Sequence, residues 1–200
     1  MSTSVLETQR RASAKHHRVC PWWLGYFLVS PLRRLIEQPE RILTPYVRPG
    51  MKVLEIGCGM GFFTLPLARM VGNAGRVVCV DIQPRMLAAL DRRARRAGLS
   101  QRIEARQCKA ASLGVADHAS AFDLAVLIHV LHELPDAAGA LAEIHAALQP
   151  DGQVLLVEPP GHVSDSDFEA QLDAARAAGF VIESHWPQKR YRAAVLRRAA

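Results

Sequence analysis

From Met51 onward the chain alternates between two periods. Short apolar, partly β-branched runs alternate with longer stretches of helical spacing. Lys52–Ile56, Arg76–Val80, Ile103–Gln107, Phe122–Ile128 and Gln153–Glu158 read as strands. Phe63–Val71, Pro84–Ala97, Asp136–Leu148 and about Asp165–Ala178 read as helices between or after them, and Phe180–Ser184 and Tyr191–Leu196 as a closing pair of strands. The boundaries carry matching signals. Pro84 suits a first helical position and Gly98 follows a last one, while Ser164 and Asp167 have capping-box spacing and Gly179 stops the helix they start. A parallel neighbour is reached only through a crossover, and a strand apolar along its whole length is covered on both faces. The expected fold class is therefore α/β, a doubly wound, mostly parallel seven-stranded sheet with an N-terminal helical extension. Residues 1–48 are expected to form the extension and residues 49–200 the sheet domain, with Arg48-Pro49-Gly50 as the turn between them.

The charge sits at the two ends. The 200 residues carry a formal net charge of +6, which by itself suggests a polyanionic or membrane partner. Residues 1–48 hold +5 and residues 186–200 another +5, so the 137 residues between them are net −4. Four cysteines, Cys20, Cys58, Cys79 and Cys108, show no C-x-x-C pair, which points away from a zinc site or a disulfide framework and toward reduced thiols in the cytoplasm. The apolar run Trp22–Val29 is far shorter than the ~18 residues of a membrane span and lacks a small-residue cleavage site, so neither a span nor a leader is expected. His16, His17 and Cys20 are too few to make a metal site, and none is expected.

The chemistry begins at Val53-Leu54-Glu55-Ile56-Gly57-Cys58-Gly59-Met60-Gly61, a strand running into a glycine turn and then a helix. Glycines there let the backbone turn sharply and bring amides against a ligand. Asp81 ends the next strand, where a carboxylate can accept the hydroxyls of a ribose. A dinucleotide site wants a third small residue in the slot that Phe62 occupies, and a diphosphate is poorly served by Glu55. A ligand with a ribose, an ammonium and no phosphate fits both carboxylates: S-adenosylmethionine.

Residues 51–160 resemble the class I S-adenosylmethionine-dependent methyltransferases, in the broad group that contains the ubiquinone/menaquinone C-methyltransferases, with a Rossmann-like sheet. The resemblance rests on the glycine segment and on Val78-Cys79-Val80-Asp81-Ile82-Gln83-Pro84-Arg85-Met86-Leu87. It also rests on Phe122-Asp123-Leu124 through His129-Val130-Leu131-His132-Glu133-Leu134-Pro135, and on Leu148-Gln149-Pro150-Asp151-Gly152-Gln153. It implies S-adenosyl-L-methionine as cofactor and S-adenosyl-L-homocysteine as product. Gly57, Cys58 and Gly59 would contact the methionine part, Glu55 the ammonium and Asp81 the ribose. Ile82 and Met86 would flank adenine, Ala110 would border it, and His129 would approach the sulfonium. One position departs from the family: Lys109 stands where an acid usually meets the adenine amino group, and lysine accepts no hydrogen bond.

Methyl transfer from a sulfonium is an in-line displacement driven largely by alignment, so a base is optional. His162, after the fifth strand, is the first candidate for one and His129, after the fourth, the second. The aromatic stretch from Cys20 to Phe27 reads as a lid or as flank packing, and residues 20–34 also offer a peripheral membrane contact. The expected acceptor is a small molecule. An RNA or protein methyltransferase using the basic ends is the alternative; Ile128-His129-Val130-Leu131 stands where base-methylating enzymes carry an Asn/Asp-Pro-Pro-aromatic motif, which argues against base N-methylation though not against other RNA positions. The intact Glu55, glycines and Asp81 argue against a non-catalytic binding module.

Overall fold

The computed structural model of the chain describes residues 36–187 and 191–199, together with Val29 and Arg33. The expectations on His16, His17 and the aromatic stretch from Cys20 to Phe27 fall outside the described residues. The strands are β1 (Lys52–Ile56), β2 (Arg76–Asp81), β3 (Ile103–Gln107), β4 (Phe122–Ile128), β5 (Leu148–Glu158), β6 (Phe180–Pro187) and β7 (Arg192–Arg198). They form one sheet in the order β3-β2-β1-β4-β5-β7-β6, with β7 antiparallel to both its neighbours and the other pairs parallel. The described helices are α1 (Pro39–Leu43), α2 (Thr64–Met70), α3 (Pro84–Arg96), α4 (Ala137–Ala147) and α5 (Asp165–Ala177).

Alternation along each strand splits the core in two. Leu54, Val78, Ala125, Leu127 and Leu156 turn to one face, where Leu141 and Ile144 of α4 and Phe168 and Leu172 of α5 cover them. Val53, Val77, Leu124, Val126 and Leu155 turn to the other, against Leu67 and Ala68 of α2 and Leu90 and Ala94 of α3. Both faces are dry, which is why these strands read as unbroken apolar runs. The strand order reverses between β1 and β4, and the crevice that opens there lies beyond the carboxyl ends of both.

Helix boundaries follow the capping chemistry. Pro84 opens α3, and Ser164 accepts from the Asp167 amide while the Asp167 carboxylate accepts from Ser164, a complete capping box for α5. The start of β5 differs from the sequence reading, and β6 runs on to Pro187. β5 starts at Leu148, directly after α4, because Leu148 pairs with Phe122 across a bulge that the Asp151-Gly152 turn absorbs; Asp151 sits at φ +61°. The five-residue α1 is followed by a turn whose Thr44, Pro45 and Val47 carbonyls accept from the Arg48 guanidinium. The basic residues of β7 are committed internally. Arg192 pairs with Asp165, Arg197 with Asp151 and Glu183, and Arg198 bonds the Leu148 carbonyl and Ser120.

Leu54 is fully buried in the middle of β1, between β2 and β4. Leu54→Ala is expected to destabilise the protein by about 2–5 kcal/mol, read as a lower urea midpoint with an unchanged slope.

Candidate active site

A cavity of about 270 Å³ opens at the strand-order reversal, walled by the glycine turn, the ends of β2 and β4, the segment 108–113 and the N-terminal residues Val29 and Arg33. Its floor is the turn after β1. The Gly57 and Cys58 amides both donate to the Val80 carbonyl, at 2.9 and 3.1 Å, which folds the turn over the end of β2. Gly57 has φ +71°, and a Cβ there would come within 2.5 Å of Val130 Cγ2. Gly61, at φ +85°, lies as close to Leu90 of α3, so the turn is pinned between β4's exit and the helix after β2.

Asp81 is held from both sides. Its Oδ2 accepts from the Gly59 amide and its Oδ1 from the Gln83 amide, each at 2.8 Å. Burial raises its carboxyl above the ordinary value, against the pull of those two amides. Each oxygen keeps a second lone pair directed away from its amide.

Glu55 has the opposite environment. It is 4% exposed, faces the α2 side of the sheet, and its Oε2 has no hydrogen-bond partner among the described residues. Burial pushes its carboxyl up to about 8; the Thr64 hydroxyl at the start of α2 pulls the other way, and the charge of Asp81 adds to the rise. Thr64 Oγ1 is itself buried and falls short of hydrogen-bond geometry. An orphaned carboxylate at the wall of a cavity suits a ligand that brings a cation or donors.

The other sequence candidates divide. Gly57, Cys58, Gly59, Ile82, Met86, Ala110 and His129 all border the cavity with Glu55 and Asp81. Ile82 is 36% exposed, and Met86 offers a second apolar surface beside it. The buried Cys58 thiol is held well above its ordinary range by its neighbour Cys79 and by burial. Lys109 borders the cavity too, in a tight turn closed by paired bonds with Ser112. His162, the first candidate for a base, is exposed and absent from the wall. Its ring meets the edge of His132 at 5.6 Å. His129 takes the wall position, directly after β4, with φ +60° and its amide donating to the Val157 carbonyl at 2.7 Å. Burial holds its imidazole below the ordinary value.

Glu143 and Arg33 had no sequence signal as site residues, whereas Glu158 and His132 stand at or just after strand ends. Glu143 of α4 borders the cavity and accepts from Ser112 Oγ and the Leu113 amide, which anchors the segment carrying Lys109 and Ala110. Arg33 borders it from the N-terminal side, its guanidinium 4.2 Å from the centre of the Phe62 ring. Glu158, fully buried at the end of β5, accepts from the His132 amide at 3.0 Å and meets its Nδ1 at 2.7 Å. Burial alone would lower the His132 imidazole, but the Glu158 bond outweighs it and the net shift is upward.

A family model described as a methyltransferase domain matches residues 53–152, half of the chain. The chain belongs to the methyltransferase domain family. The matched span runs from β1 to the bulge of β5 and so contains the glycine turn, Asp81 and His129. Among curated relatives, a demethylmenaquinone methyltransferase of Lactobacillus johnsonii is 35% identical over 112 residues, 56% of this chain and 45% of that protein. A ubiquinone/menaquinone biosynthesis C-methyltransferase, UbiE, of Haemophilus ducreyi is 35% identical over 112 residues, 56% of this chain and 42% of that one. The chain thus spans less than half the length of these relatives. Among solved structures, a SAM dependent methyltransferase from Aquifex aeolicus superposes with a TM-score of 0.79 at 22% identity, covering 90% of this chain and 98% of that one. The cyclase SpnF superposes at 0.70 and 20% identity, covering 81% and 80%. These likenesses establish the mostly parallel Rossmann-like sheet with its antiparallel hairpin; the cyclase is a reminder that chemistry belongs to the site.

Glu55 provides a direct check on the wall. A carboxyl lifted from 4.5 to about 8 on folding costs no stability below pH 4.5, and that stability is lost progressively as the pH rises to about 8. Glu55→Gln does not titrate, so its stability relative to the wild type is expected to improve from pH 5 to pH 8, read by urea unfolding at both. The same difference at both pH values would contradict the assignment.

Proposed function

We propose that this protein transfers a methyl group from S-adenosylmethionine to a small organic acceptor. The observation that carries the reading is the pair of buried carboxylates on one cavity: Glu55 Oε2 with no partner, and Asp81 with both oxygens oriented by amides. The wall fits the donor group by group. Glu55 meets the ammonium, the Gly57, Cys58 and Gly59 backbone lies along the methionine part, and Asp81 accepts two ribose hydroxyls. Ile82 and Met86 enclose the adenine ring, with Ala110 at its rim, and Lys109 leaves the adenine edge to backbone atoms. The donor supplies an electrophilic methyl on a sulfonium, whose leaving group is a neutral thioether.

The protein's part is alignment, exclusion of water and acid–base chemistry. His129 stands at the end of β4, where the wall turns from the donor toward the N-terminal residues. Its lowered pKa keeps it unprotonated near neutral pH, ready to take a proton from a hydroxyl, thiol or activated carbon. Val29 and Arg33 in the wall support residues 1–48 as a cover over the acceptor end. The relatives named for demethylmenaquinone and ubiquinone/menaquinone methylation favour a small-molecule acceptor. The internal pairing of Arg192, Arg197 and Arg198 weighs against a nucleic-acid substrate held by the C-terminal strand. Among the described residues no helix is long and apolar enough to cross a membrane, and because Val29 and Arg33 border the cavity, contact of residues 20–34 with a membrane surface is the secondary reading. The free thiols of Cys58, Cys79 and Cys108 support a cytoplasmic setting.

Calorimetric titration with S-adenosylhomocysteine tests the reading. Binding is expected in the wild type and to weaken by about 100-fold in Asp81→Ala, which loses two charge-assisted hydrogen bonds. Near pH 7 the incoming ammonium draws Glu55 into its ionised form, so a proton is released and the heat depends on the buffer. No binding to the wild type, or equal binding by Asp81→Ala, would refute the reading. A methyl-transfer screen against small-molecule extracts with labelled donor then identifies the acceptor.

A further inference from the structure

Just before α1, Glu37 is 6% exposed, a rare state for a carboxylate. Its Oε2 accepts from Arg33 Nε at 3.0 Å and lies 2.7 Å from a terminal guanidinium nitrogen, and Arg33 is itself fixed over Phe62. That grip stops the carboxylate from swivelling and leaves Oε1 buried without a hydrogen bond. At 3.6 Å from Oε1 stands His129 Nε2, also buried and without a hydrogen bond among the described residues. Two orphaned polar atoms of complementary character face each other, a few tenths of an ångström beyond bonding distance.

His129 is held for that meeting. Its φ of +60° is uncommon for a residue with a side chain, and such strain persists only where the surroundings impose it. Its amide is tied to Val157, and its ring stacks on Tyr191 with 6.2 Å between centroids and 20° between planes. With Nε2 turned into the protein, Nδ1 is the nitrogen left for the cavity that the ring borders.

We infer that Glu37 is a positioning residue for His129, holding the imidazole as the tautomer with its proton on Nε2 so that Nδ1 takes the proton of the methyl acceptor. This rests on the methyl-transfer reading above. The proton lost by the acceptor goes to Nδ1, and the electron pair it leaves forms the bond to the methyl carbon. The pair of the broken carbon–sulfur bond stays on sulfur. The imidazolium so formed is stabilised by Glu37, the division of labour of an acid–base dyad. Among the described residues the charged and titratable groups facing His129 are Glu37 and Arg33 from the N-terminal side, Glu158 from the end of β5, His132 from the following turn and the Tyr191 phenol stacked on its ring just before β7. Arg33 and His132 oppose protonation and Glu158 favours it, but only Glu37 carries an orphaned atom aimed at the ring.

The test needs neither donor nor acceptor. The full chain is treated with diethyl pyrocarbonate, which modifies unprotonated imidazoles, and the rate at His129 is followed by peptide mass spectrometry against pH. Removing the carboxylate in Glu37→Gln is expected to lower the His129 midpoint by about one pH unit or more, and Glu37→Asp to restore most of it. Coincident profiles for wild type, Glu37→Gln and Glu37→Asp would overturn the inference. Long-range proton–nitrogen NMR on the wild type reads the tautomer without any variant: a proton on Nε2 is expected, and one on Nδ1 would overturn it. S-adenosylhomocysteine titration of the same samples separates the outcomes. Failure here with intact binding removes the dyad and leaves the methyl-transfer reading, whereas loss of wild-type binding removes that reading itself.

Discussion

The site depends on one knot of backbone hydrogen bonds at the ends of β1 and β2. The Val80 carbonyl receives the Gly57 and Cys58 amides, and the Asp81 carboxylate receives those of Gly59 and Gln83. A single residue pair thus fixes the glycine turn and the start of α3 to the same point. The turn can fold so tightly because Gly57 and Gly61 occupy positive φ with Val130 and Leu90 pressed where side chains would stand. Everything that borders the cavity is measured from that knot: β4's exit touches the turn through Val130, and Met86 rides on the helix that Gln83 begins.

Buried carboxylates cluster around this end of the sheet, and each meets a different fate. Asp81 is satisfied by amides, Glu158 by the His132 amide and ring, and Glu37 by Arg33 at one oxygen. Glu55 is left without a partner on Oε2 among the described residues, and burial keeps it largely neutral near pH 7. Burying a charge is costly unless it is paired, so the unfinished pairs are where a ligand or a reacting proton belongs. The satisfied ones hold the frame, and Asp81, with one amide on each oxygen, does so while keeping a second lone pair on each for a ligand.

The layered sheet was legible because both faces are buried, which turns strands into apolar runs that periodicity detects. β3 and β4 have the expected bounds, and β1 does too. The Asp136–Leu148 helix gave up its last residue to β5, because Leu148 pairs with Phe122 across a bulge that no local propensity announces. The cavity lining next to the glycine turn was legible for a similar reason: Glu55, Gly57, Gly59 and Asp81 are close in chain order to strand ends, and strand ends define the crevice. His162 follows a strand end as well, yet the turn after Glu158 carries it outward to solvent, while His129 is kept at the wall by its bond to Val157. Strand-end position selects candidates, and the exit direction of the loop chooses among them.

The order of apolar runs, the glycine spacing and the two carboxylates were enough to determine the fold class, the end of the sheet where the cavity opens and the kind of ligand proposed for it. These are local properties, written in residues a few positions apart. Tertiary structure alone decided which histidine faces the cavity, that Glu143 props the segment around Lys109, and that Glu37, ninety-two residues before His129, meets its ring. Those pairings come from crossovers and loop exits that bring distant chain segments together. A single carboxylate in a polar run such as Glu37-Gln38-Pro39-Glu40 carries no mark of the partner it will find.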